Sequence, residues 1–124
     1  MYVKSLASAP TRELEGLVSH VLLQDGDIAD GELAVTWVDV EPGAQQGRHS
    51  HPPQQTYLIT RGSGVMHVGD EDREVGVGDL VYIPSSVEHG IDNTGEETLT
   101  YISAATPAFD VTSMYDRGQI SLSP

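Results

Sequence analysis

Two histidines stand two residues apart in a stretch that has the pattern of a β-strand. Residues 43–62 read GAQQGRHSHPPQQTYLITRG, and the pair is His49 and His51. Because side chains two apart on a strand leave the same face, both imidazoles would point to one side of it. Gln55 has the same parity, although two prolines interrupt the regular pleat between them.

A second histidine stretch follows further along the chain. Residues 78–93 read GDLVYIPSSVEHGIDN and place His89 on another predicted strand. Three imidazoles and the Gln55 amide are donors of the kind that bind divalent zinc, copper, iron or nickel. A lone strand histidine is more often a surface or hydrogen-bonded core residue. The glycines and prolines that frame both stretches favour the metal-site interpretation.

The first stretch resembles the first motif of the cupin family. That motif is a Gly, five residues, His, one residue, His, three residues, Glu, six residues and a final Gly. Gly43, His49, His51 and Gly62 fall on it in register, and Gln55 stands at the Glu position. The resemblance implies that this stretch contributes metal ligands.

The second stretch is similar to the second motif of the same family. That motif is Gly, five residues, Pro, one residue, Gly, two residues, His, three residues and Asn. Gly78, Pro84, His89 and Asn93 match it, and Ser86 replaces the second Gly, a mild change because serine is common in turns. Two motifs in this order imply an all-β fold, the double-stranded β-helix or jelly-roll barrel of cupins, with its site inside.

The resemblance implies one divalent transition metal, Mn, Fe, Ni, Cu or Zn, held by His49, His51, Gln55 and His89. If the Gln55 amide oxygen binds, all four ligands are neutral, so the ion keeps its full charge. It then acidifies bound water more strongly but is held more weakly. Alternatively, Gln55 hydrogen-bonds a bound water or substrate, and the three histidines hold the metal alone. The sequence leaves both alternatives open.

Strand parity predicts which side chains line this site. In residues 32–40, ELAVTWVDV, Trp37 would line the pocket if its face turns inward, and core packing is the equal alternative. Tyr57 and Ile59 share the parity of the glutamine ligand candidate, and Ile91 shares that of the second-motif histidine. Tyr57 is a candidate catalytic residue because its phenol could bind substrate or transfer a proton.

The chain length predicts a single domain with a short helix near its end. The 124 residues include 13 Gly and 7 Pro, which favour short strands joined by turns. We predict an N-terminal arm over 1–16, a cupin barrel over 17–105 and a tail over 106–124. In the tail, Asp110 would cap a helix that ends at Tyr115. Its apolar face would pack on the barrel exterior, on a partner subunit, or over the barrel mouth as a lid.

Composition excludes several functional classes. With 6 Lys+Arg against 19 Asp+Glu, the formal net charge is -13, which disfavours binding to nucleic acids and anionic membranes. The absence of cysteine excludes disulfides and thiolate ligands. No apolar run is long enough for a signal sequence or a membrane span, so a cytoplasmic location is expected. The acidic, lysine-poor surface would also suit a salty cytoplasm.

The cupin resemblance implies a range of activities. The family includes metal-dependent dioxygenases, decarboxylases, sugar isomerases, cyclases, lyases and non-catalytic members. We expect a small metalloenzyme acting on an oxygen-rich small molecule, either dioxygenase-like or a Lewis-acid isomerase or cyclase. The alternative is a non-catalytic small-molecule-binding or structural module. A homodimer is expected, both from the resemblance and because exposed sheet edges need covering.

Overall fold

The computed structural model describes residues 1–118, so residues 119–124 of the predicted tail lie outside the described residues. The described chain forms ten β-strands and one short α-helix. The strands are β1 (Thr11–Leu14), β2 (Leu17–Leu23), β3 (Ala34–Val40), β4 (Gln45–His49), β5 (Gln54–Arg61), β6 (Ser63–Val68), β7 (Glu71–Gly76), β8 (Leu80–Ile83), β9 (His89–Asp92) and β10 (Leu99–Thr106), and the helix is α1 (Val111–Asp116). No helix in the described range is long and apolar enough to cross a membrane.

The strands form two antiparallel sheets. One has six strands in the order β1-β2-β3-β10-β5-β8, and the other has four in the order β4-β9-β6-β7. Alternate residues of each central strand are buried between the sheets, as expected for strands with one face in a core. The predicted all-β jelly-roll barrel with a short C-terminal helix is confirmed.

The β3 strand turns its even-numbered residues inward, so the expectation that Trp37 lines the pocket is wrong. Ala34 and Val38 are buried, whereas Trp37 is half-buried on the outer face of the sheet. There its Nε1 donates a hydrogen bond to Asp39 Oδ1 at 3.2 Å. The inner face of β3 borders the site with small side chains, which leave room that an indole would fill. Both faces of β3 are apolar, and parity alone could not choose between them.

Part of the predicted N-terminal arm belongs to the six-stranded sheet. Residues 11–14 form β1, which pairs antiparallel with β2. Its side chains alternate between exposed and half-buried, because β1 is an edge strand with one face in solvent. The charged side chains of Arg12 and Glu13 are compatible with this edge position.

Candidate metal centre

Three histidines meet between the two sheets of the barrel. His49 ends β4, His51 lies in the loop that follows, and His89 begins β9 directly opposite His49 in the ladder. All three are buried, and their potential ligand atoms lie within 4.8 Å of one another. The ring centroids of His49 and His89 are 4.4 Å apart, and those of His51 and His89 are 5.0 Å apart. The three side chains are close enough to serve one ion.

A β-bulge in β4 turns the site residues inward. The ladder between β4 and β9 shifts register between Gln46 and His49, so Gly47 and Arg48 stand opposite the single residue Gly90. A Cβ at Gly90 would lie 2.8 Å from the carbonyl oxygen of Gln46. Because Gly90 has no side chain, the bulged backbone can pack against it. Both Gln46 and His49 then face the barrel interior. Sequence reasoning missed Gly90, which follows a motif histidine directly.

Backbone carbonyls fix the tautomer of all three imidazoles. The Nδ1 atoms of His49, His51 and His89 lie 2.7, 3.0 and 2.9 Å from the carbonyl oxygens of residues 47, 53 and 87. Because a carbonyl oxygen only accepts, each Nδ1 carries the proton and each Nε2 keeps a free lone pair. The Nε2 atoms of His51 and His89 are buried with no hydrogen-bond partner. Such unpaired buried acceptors are costly, and an ion would relieve the cost.

Burial also keeps the imidazoles of His49 and His89 uncharged. It lowers the pKa of His49 to about 4, although the hydrogen bond with the Gly47 carbonyl acts in the opposite direction. Burial, followed by the proximity of His49, lowers the pKa of His89 to about 3. Both rings are therefore neutral at neutral pH, which is the state that can donate a lone pair to a metal.

Gln55 faces the same interior and is held by a serine. Its Nε2 donates a hydrogen bond to the Oγ of Ser103, on the neighbouring strand β10. The Gln55 Oε1 atom is buried and has no partner. The amide thus presents its oxygen as a free acceptor. Sequence reasoning did not find Ser103, because it lies outside both motifs.

The tyrosine candidate is a buried, neutral phenol. Tyr57 is 1% exposed, stacks on Tyr101 with ring centroids 4.1 Å apart, and lies 6.0 Å from the His89 ring. Burial raises the pKa of Tyr57 far above its usual value. Tyr57 therefore remains protonated at neutral pH and can act as a hydrogen-bond donor.

Ile59 and Ile91 are buried in the hydrophobic core, but they do not line the cavity beside the histidines. Parity correctly places both side chains on inner faces. It does not give their depth along the strand, and the strands continue past the site. His89 is likewise absent from the cavity lining, so the place of these two residues in the pocket wall stays a prediction.

The C-terminal helix covers the cavity. Asp110 caps α1, accepting a hydrogen bond from the Ser113 backbone N–H at 3.0 Å, as the sequence predicted. The cavity has a volume of about 20 Å³. Its walls come from the barrel and from the C-terminal segment, and they are Ala34, Thr36, Val38, Gln46, His49, His51, Gln55, Tyr57, Tyr101, Ser103, Phe109, Val111, Met114 and Tyr115. Of the three positions considered for the apolar face of this helix, the structure has the one over the barrel mouth.

The two remaining histidines lie away from this cavity. His20 Nε2 is 3.5 Å from Asp39 Oδ2 on the outside of the six-stranded sheet. His67 Nε2 is 2.8 Å from Asp92 Oδ2, and His67 Nδ1 contacts Asp72. Partial burial opposes protonation of His67, but the hydrogen bonds to the two carboxylates outweigh it and raise the pKa of His67. Both histidines pair with acids and are not metal-site candidates.

Comparison with known proteins gives a family match and several relatives. Residues 36–105 match the family model described as "Cupin domain". The chain is 33% identical to an oxalate-binding protein of Thermotoga maritima over 63 residues, which cover 50% of this chain and 52% of that protein. It is 30% identical to a dimethylsulfoniopropionate lyase of Ruegeria pomeroyi over 71 residues, covering 57% and 47% of the two chains. The matches span about half the length of these curated relatives.

Solved structures share the fold at low sequence identity. A predicted oxalate decarboxylase from Thermotoga maritima superposes with a TM-score of 0.75 at 22% identity, covering 86% of this chain and 99% of that one. The KdgF protein of a Halomonas species superposes with a TM-score of 0.76 at 18% identity, covering 90% and 98%. At these identities the superpositions establish the architecture alone.

Proposed function

Because the chain belongs to the cupin family, we propose that it is a metal-dependent enzyme acting on an oxygen-rich small molecule. The observation that carries the proposal is the convergence of three buried imidazoles, of which His51 and His89 have buried Nε2 atoms without a hydrogen-bond partner. A bound divalent ion would supply Lewis acidity or one-electron chemistry at this point. Isomerisation, cyclisation and dioxygenase-like chemistry are the reaction classes of this proposal.

Some residues of this chain would hold the ion, and others orient the side chains that bind it. His49, His51 and His89 hold the ion through Nε2, and the backbone carbonyls keep each ring in the correct tautomer. Gln55 offers its amide oxygen as a fourth ligand, with Ser103 fixing the orientation of the amide. Hydrogen-bond partners of this kind commonly orient metal-binding side chains in proteins.

The cavity wall suggests the class of substrate. None of the described residues that line it is Asp, Glu, Lys or Arg. A substrate carboxylate or enolic oxygen would therefore depend on the metal for charge compensation, and the rest of the molecule would meet hydroxyl, amide and apolar groups. Two relatives, an oxalate-binding protein and a dimethylsulfoniopropionate lyase, support a small oxygen-containing ligand.

A non-catalytic binding module is the second candidate, and the closed cavity favours it. The volume of about 20 Å³ leaves little space beyond an ion, and Tyr57 is too weakly acidic to exchange protons readily. Metal-loaded protein incubated with diketones, flavonols, sugars and oxalate separates the candidates. Products that form only in the metal-loaded samples support the enzyme, and a tightly bound ligand recovered unchanged supports the module.

Elemental analysis of protein purified without a metal-affinity tag tests the metal site itself. We expect about one divalent ion per chain in the wild type and less than about a tenth of that in His49→Ala, because two imidazoles bind too weakly to survive dialysis. His20→Ala is the matched control, since His20 is a strand histidine outside the cavity, and it should retain the metal. A wild type that takes up no Mn, Fe, Ni, Cu or Zn on reconstitution would end the metalloenzyme proposal.

The outer face of the six-stranded sheet supports the expected homodimer. Two rows of paired residues cross β8, β5, β10 and β3 on this face, and neither row contains a charged residue. They are Leu80, Leu58, Ile102 and Trp37, and Tyr82, Thr56, Ala104 and Val35. In a chain with a net charge of -13, a second copy meets the least repulsion where both surfaces are uncharged. We therefore propose that the dimer contact lies on this face. A cytoplasmic location is also part of the proposed function.

A charge placed on this face should dissociate the dimer. Leu58→Glu puts an unpaired carboxylate in the contact and should weaken association by about 100-fold. Light scattering over a dilution series measures the change. Val77→Glu is the control, because Val77 is 69% exposed but lies outside both rows. A monomeric wild type, or equal weakening by the two variants, would contradict this assignment.

A further inference from the structure

The metal cavity is too small for an organic substrate in the closed conformation. Its volume of about 20 Å³ is close to the minimum that holds a single water molecule, roughly 10–15 Å³. The ring of Phe109 stands over the site, with its centroid 5.2 Å from that of His51. An ion and one small ligand fit there, but any larger substrate requires part of the wall to move.

The C-terminal segment is the part of the wall that can move at least cost. The other walls are strands, and β10 is paired along its length with both β3 and β5. In contrast, α1 has six residues, too few to be stable on its own, and it is in no sheet. Outside the cavity, three residue pairs hold its segment to the described barrel. They are Asp25 N to Phe109 O (3.0 Å), Gln24 Oε1 with Thr112 N and Oγ1 (3.1 and 3.4 Å), and Arg12 with both carboxylate oxygens of Asp116 (2.8 and 3.3 Å).

Inside the cavity, the Tyr115 hydroxyl of α1 contacts the barrel side chains of Ser19 and Gln46. The Gln46 Nε2 atom donates to the Tyr115 hydroxyl oxygen at 3.1 Å. Gln46 is only 4% exposed, and its Oε1 atom is buried without a partner. The Nε2 atom of this amide is thus paired with Tyr115. Its Oε1 atom is an unsatisfied acceptor, which indicates that a ligand group binds there.

Gln46 and His49 belong to the same strand and both face the cavity. They are three residues apart across the bulge, so their Cα atoms are closer than the roughly 10 Å of a regular extended strand. A small molecule that binds at the histidines would therefore extend along β4 toward Gln46. The Tyr115 hydroxyl lies where a polar group at the far end of that molecule would be.

We propose that Gln46 is a substrate-orienting residue and that Tyr115 occupies it in the closed state, until a hydroxyl or carbonyl oxygen of the substrate takes its place. This inference rests on the proposed metal-site function. Gln46 selects an uncharged oxygen group, because an amide offers a donor and an acceptor but no charge, and burying an unpaired charge there is costly. Movement of α1 exposes Gln46 and the ion to the same molecule.

Hydrogen exchange of the metal-free protein tests the closed-state contact independently of metal binding. Tyr115→Phe removes the hydroxyl and keeps the ring, so the amides of Met114 and Arg117 in and after α1 should exchange about 5-fold to 10-fold faster. The matched control is Tyr82→Phe, which also removes a tyrosine hydroxyl with a glutamine partner, in this case Gln54. Unchanged exchange in Tyr115→Phe, or equal acceleration by Tyr82→Phe, would overturn the role of Tyr115.

Ligand binding to the Co²⁺-loaded protein tests the role of Gln46. The visible spectrum of the ion reports binding of azide, which is small, and of 4-hydroxybenzoate, which is larger and carries a hydroxyl at the end opposite its carboxylate. Tyr115→Phe should tighten 4-hydroxybenzoate about 5-fold to 10-fold and leave azide within 2-fold, because only 4-hydroxybenzoate needs the opening. Adding Gln46→Leu to Tyr115→Phe should reverse the gain for 4-hydroxybenzoate.

Two results of this binding experiment would overturn the proposal. An equal change for azide and 4-hydroxybenzoate would mean that Tyr115 does not control access by size. Binding of 4-hydroxybenzoate that is as tight in the double variant as in Tyr115→Phe would mean that Gln46 does not contact the ligand. Protein that loads no Co²⁺ would instead refute the metal-site function, and the exchange experiment would still have decided the closed-state contact.

Discussion

Gln55→Glu should tighten divalent metal binding by about 10-fold to 100-fold, because it replaces a neutral ligand by an anionic one at contact distance from the ion. The Gln55 Oε1 atom is buried and unpaired, and the Ser103 hydroxyl that holds the amide can donate to a carboxylate equally well. Competition with a fluorescent chelator measures the dissociation constant. Among substitutions that add charge to the site, we expect this one to change metal affinity most.

The same change should have the opposite effect on the metal-free protein. A carboxylate at a position that is 8% exposed loses most of its hydration, and the nearby imidazoles are neutral. We expect urea unfolding to show about 1–3 kcal/mol less stability without metal. The sign of the effect on stability therefore reverses when metal is added, and this reversal is specific to a ligand position.

Gln54→Glu is the matched control for Gln55→Glu. Gln54 is adjacent on β5, is exposed and points to the opposite face, so the substitution changes the net charge equally without placing charge in the cavity. It should change metal affinity by less than about 2-fold. If Gln55→Glu also fails to tighten binding, the glutamine hydrogen-bonds a water or a substrate and the three histidines hold the metal alone.

Residue types and spacing were sufficient to predict which histidines lie close together between the sheets. His49 and His51 both turn inward, although only His49 is in a strand, and the glycines around them mark turns that require positive φ. The structure brings both to His89 and Gln55. That these four residues bind a metal stays a prediction, which elemental analysis tests.

The pocket wall could not be predicted because strand parity is ambiguous when both faces are apolar. Trp37 and Val38 are both suitable for a core, and packing against the opposite sheet determines which one turns inward. No periodic pattern in the sequence predicts the bulge that brings Gln46 and His49 to the same face. Parity across it would assign Gln46 to the outer face.

Contacts between distant parts of the chain could not be predicted from the sequence either. The helix at Asp110 was predicted from its cap, which is local, but its position over the cavity depends on Gln46, far away in the sequence. Likewise, the residues of β1 were predicted as part of an arm, and only the sheet order shows that they form an edge strand. Local signals predict elements, whereas tertiary packing decides what they cover.

Gly62→Ala should cause the largest loss of stability among single-methyl additions at the motif glycines. Gly62 has φ +75, and a Cβ there would lie 2.5 Å from the carbonyl oxygen of Thr98 and 3.1 Å from the Leu99 Cα. Both neighbours are backbone atoms at the start of β10, so relief requires the sheet itself to shift. We expect the free energy of unfolding to fall by about 2–4 kcal/mol, measured by urea denaturation of the metal-free protein.

Gly43→Ala separates the two causes of that loss. Gly43 is also a motif glycine, with φ +81, but a Cβ there meets nothing within 4 Å. Its substitution therefore carries the cost of the left-handed backbone alone, about 1 kcal/mol. If both variants lose the same stability, close packing at Gly62 is not what requires glycine there. A larger loss at Gly62 would mean that the last motif-one glycine serves the contact between β5 and β10, which holds Gln55 beside Ser103.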